Sequence, residues 1–168
     1  MRSTIPWVVA ALVVLADRVT KGMIMARMDP GAWHEIMPGL AFTHVHNRGI
    51  AFSLFANSGN LTRVALHLVI FTSVVIIAAM LVRHAQFSRV AGLAFGLILG
   101  GAVGNLIDRV LYGWVIDFIH VWVRLGDRTW AWPDFNIADA SISVGAVLLI
   151  INEFRGYRLD AKHAPDSD

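Results

Sequence analysis

Two aspartates offer the strongest chemistry in this sequence. Asp117 lies in Val-Ile-Asp-Phe and Asp139 in Phe-Asn-Ile-Ala-Asp, and both adjoin long apolar stretches. An ionised carboxylate in or near hydrocarbon costs several kcal/mol, so each of these residues predicts a functional site. Two carboxyl groups that meet can share one proton and activate a water molecule, which is the equipment of an aspartic protease.

The surroundings of the two aspartates differ. Apolar side chains flank Asp117 on both sides, and burial among them is expected to raise its pKa. Asp139 lies at the start of an apolar helix, where the helix dipole favours the anion, and a helix-capping aspartate is another ordinary interpretation of that position. Different environments would keep one carboxyl protonated and the other ionised, which supplies both an acid and a base.

The composition indicates a membrane protein. Hydrophobic residues make up 57% of the 168 residues and charged residues 15%. Soluble domains average roughly 45–50% apolar and about 25% charged residues. The net charge of +2 is too small and too dispersed to indicate a nucleic-acid partner, and the absence of cysteine excludes disulfides and a thiol nucleophile.

Four apolar stretches are long enough to cross a hydrocarbon core of about 30 Å, which needs about 20 helical residues. We expect one membrane domain, 1–168, with a flexible tail at 161–168. Four spans put both termini on one side, and the Arg-rich turn before the third span indicates that this side is the cytoplasm. The predicted spans are about 4–25, 61–82, 90–106 and 137–154.

The third span carries glycines near every fourth position. Such spacing puts them on one helical face, where the backbone of another helix can approach closely. These glycines are Gly92, Gly96, Gly100, Gly101 and Gly104.

The two outer segments are too patterned to be simple linkers. Polar and apolar residues partly alternate within about 34–58, which predicts short strands and a small sheet resting on the membrane surface. The segment of about 109–135 mixes aromatic residues and arginines with glycines, and we interpret it as an interfacial helix or lid.

Further polar residues cluster at the outer ends of the helices. Asp17 and Lys21 are four residues apart, so they can pair on one face of the first helix, either as a structural ion pair or as support for a neighbouring site. Asn105, Asp108 and Arg109 form a polar face where the third helix ends. A solvated helix end is the alternative interpretation of that face.

The first outer segment contains a second group of candidates. Asn47 and Gly49 lie in Asn-Arg-Gly, which offers a side-chain amide but is also an ordinary turn signal. His44 and His46 are two residues apart and would share a strand face, as two metal ligands or as surface histidines. A metal site would need a third ligand that is not evident in the sequence.

Taken together, these segments resemble the lipoprotein signal peptidase family, also called signal peptidase II, which are aspartic proteases of the bacterial inner membrane. The resemblance covers nearly the whole chain, with each segment at the outer end of a predicted span. The segments are Asp17-x-x-Thr20-Lys21, Asn47-x-Gly49-x-Ala51-Phe52, Gly100-Gly101-x-x-Gly104-Asn105-x-x-Asp108-Arg109, Val115-x-Asp117-Phe118, and Trp130-x-Trp132-Pro133-x-Phe135-Asn136-x-Ala138-Asp139.

The resemblance implies an all-α membrane protein with four transmembrane helices, a small extramembrane β-sheet (a β-cradle) and a short periplasmic helix. It implies that Asp117 and Asp139 are the catalytic dyad. Two features depart from the family: position 18 is Arg where many relatives carry an uncharged residue, and the 121–129 stretch is long and basic. The residues implied to bind substrate or support the site are Asp17, Lys21, Asn47, Gly49, Asn105, Asp108, Arg109 and Asn136.

The implied activity is removal of signal peptides from diacylglyceryl-modified prolipoproteins, immediately before the lipidated cysteine. The implied partners are this prolipoprotein substrate and membrane phospholipid, with a monomeric enzyme, no metal or organic cofactor, and an active site near the periplasmic face. The alternative is a small non-enzymatic four-span transporter or ion-coupled binding protein, whose polar residues would relay ions. Here the polar residues cluster at the outer helix ends rather than at the midplane, which favours the peptidase.

Overall fold

The computed structural model describes residues 4–49, 60–83 and 88–162. Within them, a helix and a strand pair are followed by two helices, a second strand pair and a last helix. The elements are α1 Ile5–Arg27, β1 Trp33–Met37, β2 Leu40–Asn47, α2 Asn60–Arg83, α3 Arg89–Tyr112, β3 Val115–Leu125, β4 Arg128–Ala131 and α4 Ile137–Lys162.

Helix α3 is the central helix, and its glycines set how closely its neighbours pack. A Cβ atom on Gly100 would lie 2.8 Å from the backbone oxygen of Ala10 in α1, and one on Gly101 would lie 2.4 Å from that of Ala138 in α4. Real Cβ atoms do not approach backbone oxygens this closely. The predicted glycine surface is confirmed, because it lets the backbones of both α1 and α4 approach α3.

The described helices differ in how apolar they are. The helix Arg89–Tyr112 and the segment Ile137–Phe154 of α4 are long and apolar enough to cross a membrane, and α2 contains the shorter apolar stretch Phe71–Val82. Helix α1 is interrupted by charged residues, two of which, Asp17 and Lys21, are fully buried. Among the described residues there are therefore four helices, two of which are long and apolar enough to span a membrane.

The strands form one antiparallel sheet in the order β1-β2-β3-β4. The β2–β3 pairing joins the two outer segments, with Val45 opposite Asp117 and Asn47 opposite Val115. The predicted strands of the first outer segment are confirmed as β1 and β2, whereas the rest of the predicted range, 50–58, lies outside the described residues. The sheet is therefore built from both outer segments rather than from the first alone.

The prediction of a helix within 109–135 is wrong. Residues 109–112 complete α3, which ends at Gly113 with a left-handed φ of 78°, and the remainder forms the β3–β4 hairpin. β-Branched and aromatic residues dominate Val115–Leu125, and this composition favours a strand when β2 offers a partner. The mixed pattern predicts an interfacial helix or lid because the sequence alone does not reveal that partner.

A cluster of apolar side chains fixes the sheet to the ends of the helices. Ile24 near the end of α1 packs with Ile116 and Phe118 of β3, and all three are buried. Ile137 at the start of α4 packs against the same cluster. The start of β3 and the start of α4 are thereby held side by side.

The predicted flexible tail lies outside the described residues from 163 onward, and residues 161–162 belong to α4.

Candidate active site

Asp117 is buried on β3, with 2% of its surface exposed. Asn47 pairs with Val115, two residues before Asp117, so Asn47 and Asp117 lie on the same face of the sheet. The Asn47 amide Nδ2 donates to Asp117 Oδ2 at 2.8 Å, and the Asn136 amide Nδ2 donates to Asp117 Oδ1 at 2.8 Å. Both carboxyl oxygens of Asp117 are therefore held by amide donors.

Asp139 lies in the first turn of α4 and is part of the cap of that helix. The Asp139 N–H donates to Asn136 Oδ1 at 3.0 Å, and Asp139 Oδ2 accepts the Asn136 N–H at 3.2 Å. This reciprocal arrangement is a capping box, with Asn136 as the N-cap residue. The other oxygen, Oδ1, accepts from the Asn105 amide Nδ2 at 2.8 Å. Asp139 therefore belongs to the cap from within the first turn, whereas the N-cap residue itself is Asn136 and not the aspartate, and the other carboxyl oxygen of Asp139 faces a second asparagine.

Asn136 connects the two acids. Its side-chain amide contacts Asp117 and its backbone N–H contacts Asp139. Both acids line one cavity of about 470 Å³, together with Asn47. We call the two acids with their three asparagines, Asn47, Asn105 and Asn136, the amide cluster. The rest of the cavity wall is formed by Trp132, Pro133, Asp134, Phe135, Ala140, Ile142, Ser143 and Val144.

The environment of Asp117 favours its protonated form. Burial is the largest cause and the negative charge of Asp139 the second, and the amides of Asn47 and Asn136 oppose them by favouring the anion. The net effect raises the pKa of Asp117 to about 7. Near neutral pH, Asp117 can therefore hold or release a proton, as general acid and general base chemistry requires.

A second group of buried charges lies behind the acids. Lys21 Nζ donates to Asp17 Oδ2 at 2.7 Å, to Asp108 Oδ2 at 2.8 Å and to Asn105 Oδ1 at 3.0 Å. Lys21, Asp17 and Asp108 are all fully buried. The predicted pairing of Asp17 with Lys21 is confirmed. Together with Arg18, which pairs with Asp108, these residues form what we call the charged cluster.

The charged cluster holds the backbone immediately before each acid of the cavity. Asp108 Oδ2 accepts the N–H of Ile116 at 3.3 Å, one residue before Asp117. Asp17 Oδ1 accepts the N–H of Ala138 at 3.1 Å, one residue before Asp139. One carboxylate of the charged cluster therefore fixes the chain leading into each acid.

The polar residues predicted at the end of α3 contact different groups. Asp108 turns to Lys21 and to Arg18, whose Nη2 also lies 3.3 Å from the hydroxyl of Tyr112. Arg109 instead donates to the backbone oxygen of Gly49 at 3.0 Å. Gly49 N–H donates in turn to Asn47 Oδ1 at 2.9 Å, so Arg109 fixes the turn that carries Asn47.

His44 and His46 lie next to each other, as their spacing predicts. Their Nε2 atoms are 3.2 Å apart, and His44 Nδ1 lies 2.8 Å from the backbone oxygen of Met28. Within the described ranges, no group of three His, Cys, Asp or Glu side chains could hold a metal ion. The metal alternative therefore lacks a third protein ligand in that part of the chain.

Two residues beside the cavity were not predicted from the sequence. His120 of β3 contacts Asp134, and Asp134 lines the cavity itself. The partner of Arg18 was not predicted either, and it is Asp108, 90 positions away. The one signal in the sequence for His120 is its position three residues after Asp117 on a strand, which is too weak to identify a partner.

The chain matches one protein-family model over most of its length. The model is described as Signal peptidase (SPase) II and matches residues 9–155. A protein of Burkholderia thailandensis named lipoprotein signal peptidase is 41% identical over 154 residues, which cover 91% of this chain and 90% of that protein. A protein of the same name from Paraburkholderia phytofirmans is 41% identical over 157 residues, covering 93% and 88%.

Two solved structures have a similar fold. Both are described as bacterial membrane enzymes determined by the in meso method. One superposes with a TM-score of 0.77 at 31% identity and covers 97% of this chain and 93% of its own. The other has a TM-score of 0.72 at 34% identity, covering 88% and 90%.

Proposed function

The chain belongs to the signal peptidase II family of peptidases, which remove signal peptides from prolipoproteins, and we propose that Asp117 and Asp139 are its catalytic dyad. We further propose that the substrates are diacylglyceryl-modified and are cut immediately before the lipidated cysteine. The observation that carries the dyad is that both carboxyls line one cavity and contact one asparagine, Asn136. Family membership also decides against the transporter that the sequence left as an alternative.

The proposed reaction needs only the two carboxyls and a water molecule. The ionised carboxylate takes a proton from water while the protonated carboxyl polarises the scissile carbonyl. The resulting hydroxide forms a bond to the carbonyl carbon and gives a tetrahedral intermediate. The carbon–nitrogen bond then breaks as a proton passes to the leaving amine. The raised pKa of Asp117 supports this scheme, because it leaves one proton on the pair near neutral pH.

The asparagines have a second task in this scheme. The amides of Asn47 and Asn136 point at Asp117, so they lie beside the position where a substrate carbonyl would be polarised. We propose that one of them holds the substrate backbone or stabilises the developing oxyanion, as side-chain amides do in other hydrolases. Asp17, Lys21, Asn105, Asp108, Arg109 and Gly49 would act indirectly, by holding the dyad and the Asn47 turn.

The cavity suits a substrate with acyl chains. It runs from the two acids along α4 past Ala140, Ile142 and Val144, so a carboxyl pair and an apolar helix surface share one opening. A lipid-modified cysteine could lie with its acyl chains on that surface and its peptide bond at the acids. We propose that membrane phospholipid covers the same surface when no substrate is bound.

We propose that the chain is one four-span domain, 1–168, and that it acts as a monomer. The charges of α1 lower its apolarity, but Asp17 and Lys21 neutralise each other away from lipid. Exposed apolar side chains such as Leu12 and Leu15 cover the outer face of α1, and Phe71 and Val75 cover that of α2. Both helices can therefore face hydrocarbon.

We propose that both termini are cytoplasmic and that the dyad lies near the periplasmic face. Because the chain has no cysteine, single cysteines can be labelled without background. Asp127→Cys in the β3–β4 turn should react with a membrane-impermeant thiol reagent in intact cells. Arg89→Cys at the start of α3 should react only after permeabilisation. The reverse labelling pattern would contradict the orientation.

The dyad is tested with purified protein in detergent and a lipidated precursor. Asp117→Asn and Asp139→Asn keep the size and one acceptor oxygen of each side chain but remove the acid. We expect either change to lower the cleavage rate by roughly 10²–10⁴-fold, the usual contribution of general acid–base catalysis. Asp127→Asn, at an exposed aspartate in the hairpin turn, is the matched control and should cleave at the wild-type rate.

Two outcomes would contradict the proposal. Cleavage at the wild-type rate by either dyad variant would remove that residue from the mechanism. Equal cleavage of the same precursor with and without its diacylglyceryl group would contradict the proposed substrate class.

A further inference from the structure

His120 and Asp134 form a hydrogen-bonding side-chain contact that the proposed reaction does not use. The contact joins His120 Nδ1 on β3 to Asp134 Oδ1 in the segment between β4 and α4. Each side chain is 18% exposed, so the contact is largely shielded from solvent. Asp134 also lines the cavity of the dyad, although it contacts neither acid through a hydrogen bond within the described residues.

Asp134 belongs to a short extended segment, 132–136, that runs beside β3. The Trp132 N–H donates to the oxygen of Val121 at 2.8 Å, and the Phe135 N–H donates to the oxygen of Ile119 at 3.1 Å. The Ile119 N–H donates back to Phe135 at 2.8 Å. Asp134 lies between these backbone bonds, next to Pro133, which has no N–H to donate. The contact of the Asp134 side chain with His120 therefore connects the segment to β3 at this point.

The segment ends at the residue that contacts both acids. Asn136 is two positions beyond Asp134, and it reaches Asp117 through its amide and Asp139 through its backbone N–H. The Asn136 amide also lies 3.3 Å from the oxygen of Ile116. A shift of the segment along β3 would move Asn136 relative to Asp117, because Asn136 is on the segment and Asp117 is on β3.

The His120 ring is itself held in place by aromatic neighbours. Its centroid lies 4.6 Å from the ring of Trp33 in an edge-to-face contact and 5.6 Å from the ring of Trp122. The two tryptophan rings contact each other at 5.1 Å. A side chain that is already ordered loses little freedom when it binds its partner, so His120 is a rigid point of attachment for Asp134.

We propose that His120 and Asp134 are positioning residues of the peptidase: their pairing holds the segment 132–136 at the place on β3 where Asn136 reaches both acids. This proposal rests on the proposed function for its effect on cleavage. Neither residue touches the reacting atoms. They act through Asn136, and the arrangement predicts that loss of the pair disturbs the chemistry more than substrate binding.

The first measurement separates kcat from KM. His120→Leu and Asp134→Ala should each lower kcat by about 10–100-fold, since misplacement by about 1 Å costs up to about 10²-fold, while KM changes less than about threefold. His120→Asn places an amide nitrogen near the Nδ1 position and should restore most of kcat. His34→Leu, at an exposed histidine of β1, is the matched control and should leave both constants unchanged.

The second measurement needs no substrate. The Asn136 amide favours the anion of Asp117, so a displaced Asn136 should raise the pKa of Asp117 above its wild-type value. Isotope-edited infrared titration of the Asp117 carboxyl in His120→Leu and in Asp134→Ala reads this shift directly. A merely structural role, which changed the amount of folded protein, would leave the titration of the remaining folded protein where it was.

The double variant gives the third result. If the pair acts as a unit, His120→Leu with Asp134→Ala should lower kcat no more than either single change. The proposal is overturned if the two losses multiply, if His120→Asn is as impaired as His120→Leu, or if the pKa of Asp117 is unchanged in both single variants. The infrared result does not depend on which residues are catalytic, so it distinguishes failure of this proposal from failure of the dyad assignment.

Discussion

The two buried polar clusters hold their carboxylates by different means. In the charged cluster the side-chain partners of Asp17 and Asp108 are the cations Lys21 and Arg18, whereas in the amide cluster the hydrogen-bond partners of the two acids are neutral N–H donors. A cation favours the ionised state of a nearby carboxylate. An amide can donate to a carboxyl oxygen whether or not the other oxygen carries a proton. The two clusters therefore differ in whether charged or neutral donors hold their carboxyl groups.

Hydrogen bonds also connect the two clusters. Each carboxylate of the charged cluster accepts a backbone N–H one residue before an acid of the amide cluster. Asn105 joins them as well, because its oxygen accepts from Lys21 and its nitrogen donates to Asp139. The comparison shows that a cluster containing cations holds the backbone beside both acids, whereas neutral donors hold the acids themselves. Four predictions test this division, from the largest expected effect to the smallest.

Lys21→Met should cause the largest loss of stability. It leaves Asp17 and Asp108 buried with only Arg18 to balance them, and breaking a buried ion pair by removing one partner costs about 3–5 kcal/mol. Urea or thermal unfolding in detergent measures the loss. Arg27→Met, at an exposed cation at the end of the same helix, is the control and should change the free energy of unfolding by less than about 0.5 kcal/mol. A Lys21→Met protein as stable as the wild type would contradict the role given to the charged cluster.

Asn136→Ser should affect activity much more than stability. Serine still caps α4, but its side chain cannot donate an amide N–H to Asp117. We expect kcat to fall by about 10²–10³-fold, as when one oxyanion-hole donor is removed. Asn136→Ala should lose the same activity and, in addition, about 1 kcal/mol of stability from the missing cap. If Asn136→Ser retained full kcat, the amide cluster would have no demonstrated part in the chemistry.

Gly104→Ala adds a methyl group on α3 next to the charged cluster. Its Cβ atom would lie 2.7 Å from Asp17 Oδ2, so the carboxylate or the helix has to shift, at a cost of about 1–3 kcal/mol for an overpacked site. Gly22→Ala in α1 is the matched control, because nothing lies within 4 Å of the added atom. It should stabilise the helix by about 0.5–1 kcal/mol. Unfolding measurements on both variants that gave the same sign would contradict the packing described.

The smallest effects are the shifts that single substitutions make in the pKa of Asp117. The pKa of Asp117 is raised from 3.8 to about 7, so between these values the folded protein binds more protons than the unfolded chain, and stability falls as pH rises through this window. Asn47→Ala removes a donor that lowers the pKa and should move it up. Asp139→Asn removes a charge that raises the pKa and should move it down. Infrared titration of the Asp117 carboxyl should show the two shifts in opposite directions, and shifts of one sign would refute this balance.

The sequence predicted the helices and the residues that gather at the cavity better than it predicted the sheet. Helix lengths, the glycine surface of α3 and the Asp17–Lys21 pair follow from local spacing, which the sequence displays directly. The grouping of Asn47, Asn105 and Asn136 around the two acids was implied by the family resemblance. The roles of these residues in catalysis remain predictions, which the dyad and asparagine variants test.

What the sequence could not predict depends on pairing between distant segments. The sequence predicts a helix or lid where the β3–β4 hairpin lies, because pairing with β2, which is far away in the chain, is not visible in the sequence. Arg18 and Asp108 are 90 positions apart, and no spacing rule relates them. His120 and Asp134 likewise meet only because the segment before α4 folds back along β3. Each of these contacts is set by the three-dimensional arrangement rather than by local composition.

The capping box at the start of α4 links the proposed proton transfers to the stability of that helix end. The carboxylate that accepts the Asn136 N–H belongs to Asp139, one of the two groups proposed to gain and lose a proton. A neutral carboxyl is a weaker hydrogen-bond acceptor than an anion. Protonation of Asp139 would therefore weaken its hydrogen bond with the Asn136 N–H, and deprotonation would strengthen that bond again. Catalysis would then loosen and tighten the first turn of α4, which forms part of the cavity wall, once per cycle.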